Sequence, residues 1–116
     1  MIDANVKRGS AELAILSLLE KDSMHGYEIA KRVEQETGGV LKFDVASLYP
    51  LLYRMEKQGW VSAAWQDSDS GRRRRCYKLT REGKKQLVPL RQQWRTFFAA
   101  LERLGGLATG AMEGSL

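Results

Sequence analysis

Residues 47–79 constrain the fold more than any other part of the chain. The run SLYPLLYRMEKQG, Ser47 to Gly59, places Leu48, Leu51, Leu52 and Met55 on one face at helical spacing. Pro50 is tolerable in a helix only in the first turn, where its missing N–H has no partner anyway, so the helix is expected to begin near Ala46 and Ser47. Gly59 closes it. Trp60–Gln66 then reads as a strand, and Asp67 to Gly71 as a turn. A second strand follows over Arg74–Leu79, with Tyr77 and Leu79 on one face. A helix feeding directly into a tight hairpin leaves few ways to bury both.

The flanking segments read as helices. Ser10 precedes the apolar run 11–20 and can cap a first helix. Leu13, Leu16 and Leu19 mark one face, and Ile15 and Leu18 make the helix apolar nearly all round, as expected of one buried on several sides. Tyr27, Ile29, Ala30 and Val33 give a second helix, stopped at Gly38 and Gly39. Thr80 can cap a last helix. In it Leu87, Leu90, Trp94, Phe97, Leu101 and Leu104 recur at steps of 3 and 4, a heptad seam that Val88 and Phe98 widen. A small domain cannot cover such a stripe on a terminal helix, so a homodimer is expected. Pro89 inside this helix is expected to kink it. From Gly105 the chain is rich in Gly, Ala and Ser and is expected to fray.

The predicted fold is therefore mainly α with a small β-hairpin, an α+β class. It comprises a winged helix-turn-helix over residues 9–79, a long C-terminal dimerisation helix over 80–104, and a flexible tail over 105–116. At 116 residues the chain fits one domain with a modest core, and 43% apolar residues argue against disorder throughout. Apolar runs are too short to span a bilayer, so no membrane partner is expected. The N-terminus lacks the pattern of a signal peptide. Cys76 is the sole cysteine, which excludes an intrachain disulfide and fits a reducing cytoplasm.

Charge is distributed unevenly. Between Arg72 and Arg91 nine cations face one acid, Glu82, a local net charge of +8 within an overall +5, so the remainder is net acidic at −3. Such concentration points to a polyanion. On the third helix Ser47, Tyr49, Tyr53, Arg54 and Lys57 lie away from the apolar face. They mix hydroxyls and cations that can donate to phosphates and base edges; the alternative is a solvated helix face. Arg72, Arg73, Arg74 and Arg75 repel one another, and phosphates would relieve that repulsion; the alternative is a charged strand edge that resists aggregation.

Other chemistry is poorly supplied. His25 is the only histidine, so neither a metal site nor a Ser/His/Asp set can be assembled, and no cofactor or enzymatic activity is expected. His25 is expected to start the second helix or bond locally. Cys76 reads as a small packed side chain; the alternative is a redox sensor, which would need its arginine neighbours to lower the thiol pKa. Trp94, at mid-seam, is either simple packing or the wall of a gap between copies that would take a flat apolar ligand.

The runs LLE at 18–20, HGYEI at 25–29, SLYPLLYRMEKQG at 47–59 and GRRRRCYKLTREG at 71–83 together resemble the PadR family of transcriptional regulators, over about residues 9–104. Trp94 on a single C-terminal helix is similar to the short subfamily that includes multidrug-responsive repressors. The resemblance implies a dimeric repressor released by small aromatic compounds. It implies Ser47, Tyr49, Pro50, Tyr53 and Arg54 on a recognition helix, Tyr27 near phosphate, and Arg72, Arg73 and Arg74 on the wing. It also implies an effector pore lined by Val6, Leu13, Ser17, Trp94 and Phe98; Pro89 and Phe98 depart from many relatives. The partners expected are double-stranded DNA carrying a pseudo-palindromic operator, with half-sites about one helical turn apart, a second copy of the chain, and a planar aromatic effector. Two rivals are a winged helix that binds only protein and a protein that sequesters aromatics without any effect on DNA.

Overall fold

The computed structural model describes residues 4–67 and 69–106, with residues 4–8 described by backbone alone. Four helices and three strands follow in the order α1 Ala4–Lys21, β1 Met24–His25, α2 Gly26–Glu36, α3 Val45–Lys57, β2 Val61–Asp67, β3 Arg73–Leu79 and α4 Arg81–Gly105. The strands form one antiparallel sheet in the order β1-β3-β2. This is the winged-helix arrangement, with α2 and α3 as the helix-turn-helix and β2–β3 as the wing.

The core gathers the apolar face of every element. Ile15 and Leu16 of α1, Met24 of β1, Ile29 of α2, Leu48, Leu52 and Met55 of α3, Val61 of β2 and Leu87 of α4 are all fully buried. Burial of that many large side chains, at roughly 1.5–3 kcal/mol each, is the main favourable term for a domain this small. As its composition predicted, α1 is buried on more than one side: Ala11, Ile15, Leu16, Leu18 and Leu19 all reach the core.

Three local expectations are corrected. The first helix does not begin after Ser10; it starts at Ala4 and runs through Gly9. The indole of Trp94 packs beside Gly9, so tertiary contact outweighs the helix penalty of glycine. The third helix begins at Val45, capped by the Asp44 carboxylate, which accepts from the Ser47 N–H at 2.8 Å. Pro50 is thus the sixth helical residue and not in the first turn. The carbonyl deprived of a donor belongs to Ala46, an exposed residue that water can serve. Finally, Met24 and His25 form a third strand, paired with Tyr77 and Cys76.

α4 starts immediately after β3. The Thr80 hydroxyl accepts from the Gly83 N–H at 2.9 Å and donates to the Gly59 carbonyl at 2.6 Å. This seats the helix so closely on the α3–β2 turn that a Cβ at Gly83 would fall 2.0 Å from the Trp60 carbonyl oxygen. The helix continues through Pro89, with Lys85, four residues back, exposed to water. It ends at Gly105, with Gly106 in the left-handed conformation. Residues 107–116 of the expected tail lie outside the described residues.

Candidate nucleic-acid interface

Because Leu48, Leu51, Leu52 and Met55 are buried, the geometry of α3 turns Ser47, Pro50, Tyr53, Arg54 and Lys57 to solvent. The Lys57 ammonium stands 5.4 Å from the centroid of the Tyr53 ring, which keeps both side chains along the exposed face. Tyr49 differs. It is 38% exposed, at the edge of that face, and its ring lies against Gly26. A Cβ at Gly26 would meet the Tyr49 hydroxyl at 2.6 Å. Gly26 therefore lets the start of α2 close onto α3.

The wing register divides the four arginines. Trp65 pairs with Arg75, Gln66 with Arg74 and Asp67 with Arg73. Strand alternation then puts Arg73 and Arg75 on one face and Arg74 on the other. On the first face the guanidinium carbons of Arg73 and Arg75 sit 5.5 and 5.7 Å from the Trp65 ring. Arg75 also donates to the Glu56 carboxylate at 2.7 Å, tying the wing to α3. Arg73 lies 4.0 Å from Asp67, a loose and exposed pair. The wing is thus not a uniform row of free cations: Arg75 is occupied by Glu56, while Arg73 keeps a mainly solvated head. Sequence reasoning missed Trp65, which is 54% exposed. Closing the hairpin at Gly71 and counting back would have set it opposite the arginine run.

On the other face Arg74 reaches the start of α2. Its Nη1 is 3.0 Å from Nε2 of His25, whose Nδ1 accepts from the Glu28 N–H at 3.2 Å. His25 does start the second helix, as its N-cap. Tyr27 follows, with its ring exposed. Tyr77 anchors the sheet from below, and burial pushes its phenol above the ordinary tyrosine range.

The seam and effector residues fall into separate places. Leu87 is 1% exposed and belongs to the core of the single chain, so the stripe open to another surface starts beyond it. Leu90 packs against that core. Trp94 is half-buried beside Gly9 and touches Phe97 edge-on and Phe98 at a tilt, both with centroids 5.7 Å away. Phe98 is 54% and Leu104 88% exposed, while Leu101 is half-buried. Leu13 packs on the core, and Ser17 lines a shallow depression between α1 and α2 with Ala14, Leu18, Val33 and Thr37. The side chain of Val6 lies outside the described residues. Among the described residues no cluster of His, Cys, Asp or Glu could hold a metal, and no helix is long and apolar enough to cross a membrane.

Residues 15–88 match the transcriptional regulator PadR-like family. A protein of Lysinibacillus sphaericus is 30% identical over 94 residues, which span 81% of this chain and 86% of that protein. The structure of a transcriptional regulator from Clostridium thermocellum superimposes with a TM-score of 0.80 at 28% identity, covering 90% of this chain and 99% of that one. A PadR family transcription regulator from Clostridium difficile R20291 gives 0.71 at 33% identity, covering 80% and 95%. The match spans the helix-turn-helix, the wing and the start of α4, and the chain belongs to the PadR-like family of transcriptional regulators, DNA-binding proteins and not enzymes.

Proposed function

We propose that this protein is a homodimeric repressor whose grip on a pseudo-palindromic operator is released by a planar aromatic effector. Ser47, Tyr49, Pro50, Tyr53, Arg54 and Lys57 read the major groove, while Tyr27 and Arg72 to Arg74 hold the backbone on either side. The observation that carries the reading is the aromatic and aliphatic stripe along the outer half of α4. Phe97, Phe98 and Leu104 are exposed on a helix that ends away from the core, and a second copy is the natural cover. Leu90, Trp94 and Leu101 extend that stripe. Pairing two chains makes DNA binding bivalent and sets the separation of the two recognition helices.

Trp94 with Phe97 and Phe98 supplies three rings around one spot, the surface a flat ligand stacks on. The rings support an effector site on α4 beside α1, with Val6, Leu13 and Ser17 as its expected lining from the first helix. The same rings support a second reading, in which aromatics are bound with no consequence for DNA. Titration of a flat dye against Trp fluorescence, with and without operator, separates the two. In the repressor reading, operator weakens the dye by the same factor by which dye weakens operator. Operator affinity unchanged at saturating dye would leave only sequestration.

A further inference from the structure

His25 carries a contradiction in its hydrogen bonding that a phosphate resolves. A neutral imidazole has one N–H and one acceptor nitrogen. Nδ1 accepts from the Glu28 N–H at 3.2 Å, so the ring proton sits on Nε2. Nε2 in turn lies 3.0 Å from Nη1 of Arg74, and a guanidinium offers only donors. Two donors therefore face each other across a hydrogen-bond distance. The other tautomer does no better: it would let Nε2 accept from Arg74 but would set Nδ1–H against the Glu28 amide. An imidazolium fails both contacts. The nearest carboxylate oxygen, on Glu28, stands 3.8 Å from Nε2, beyond hydrogen-bond length. Drawn apart from this 3.0 Å approach, Nε2–H and the guanidinium could both donate to one anionic oxygen.

We propose that His25 is a backbone-phosphate contact, its Nε2–H donating to a DNA phosphate that the exposed Arg74 guanidinium swings aside to share. The placement fits, since the strand pairing of His25 with Cys76 brings the wing against the start of α2, beside the exposed Tyr27. The two contacts differ in kind. Arg74 brings a charge and releases a counterion; neutral His25 brings a directed hydrogen bond and releases none. Glu28, 3.8 Å from Nε2, is the chain's own rival acceptor for that donor. The inference rests on the reading that α2 and the wing flank the DNA backbone.

The test uses the fact that His25 is the only histidine, so the imidazole nitrogens of the 15N-labelled full chain give unambiguous signals. The probe is a mixed-sequence duplex of about 30 base pairs at low salt, because backbone contacts do not depend on sequence. The expected result is an Nε2–H tautomer in the free protein, kept on DNA, with the Nε2 proton moved downfield and protected from exchange. His25→Asn, which preserves a helix cap, should bind roughly tenfold more weakly with the salt slope unchanged. Arg74→Ala should lower the slope by about one. An Nδ1–H tautomer, nitrogen signals that ignore DNA, or a His25→Asn chain that binds as tightly as the parent would each overturn the proposal. Failure of the parent chain to bind any duplex at low salt is a different result, and removes the DNA reading beneath it.

Discussion

At the scale of single residues, the sharpest constraints come from side chains that are absent. Gly83 and Gly26 both lie where a Cβ would collide with a neighbour, but the neighbours differ. At Gly83 the obstacle is the Trp60 carbonyl, which is backbone and accepts from the Thr80 N–H at 3.1 Å. At Gly26 it is the ring of Tyr49, a partly exposed side chain that can swing away. Gly83→Ala should therefore cost about 3 kcal/mol or more of folding stability, and Gly26→Ala clearly less. Denaturant titration of the two variants checks this, and equal losses would show that α4 can lift off the turn. Neither role was legible in the sequence, because each depends on a close approach between elements that leaves no periodic trace. The outward set on α3 was legible, because four buried positions at helical spacing dictate what faces away. The pairing of Arg75 with Glu56 was not, since it joins two elements through a register that sequence periodicity does not reveal.

At the scale of elements, strongly periodic segments emerged from the sequence and short non-local ones did not. α2, α3, the hairpin and α4 each carry several turns of apolar spacing. β1 has two residues and no period of its own; it exists because β3 offers Met24 and His25 a partner more than fifty residues away. The joint between α1 and α4 gives a pH prediction. Arg91 donates to the Glu20 carboxylate at 2.7 Å and holds it below the ordinary carboxylate range. A depressed carboxyl stabilises the fold above its unfolded value near 4.5, and that contribution disappears as pH falls through the lower folded value. Both side chains are partly solvated, so the effect is small. Thermal melts of Arg91→Gln should lie slightly below the parent at pH 7 and converge with it as pH falls below the lowered Glu20 value. A gap that persists in acid would assign Arg91 a role in packing instead.

At the scale of the whole molecule, the chain extends 54 Å in one direction and no more than 28 Å in the others. α4 accounts for much of that length, and its outer half finds little of its own chain to cover it. Phe97→Asp should yield a folded monomer at micromolar concentration, with operator affinity down by a hundredfold or more as bivalent binding is lost. Sedimentation alongside a DNA shift assay reads both, and a dimer that survives the substitution would move the interface elsewhere. The basic segment that runs unbroken in sequence is also parted in space. A ladder of seven residue pairs, roughly 20 Å of strand, separates the wing tip from the end of the sheet where Lys78, Arg81 and Lys84 line a depression with Lys21. Composition alone could not distinguish one basic patch from two.

The direct passage from β3 into α4 through Thr80 has a mechanical consequence. No slack separates the reading head from the helix that carries the outer stripe, because Thr80 is hydrogen-bonded on both sides and Gly83 is seated against the chain beneath it. α4 is thus a lever about 37 Å long on a stiff mount. Because the mount is stiff, a tilt of the whole helix by about 10° about its far end carries the head through roughly 6 Å. In the proposed dimer, small changes of packing at the rings would in this way be geared to larger changes in the span between the two heads.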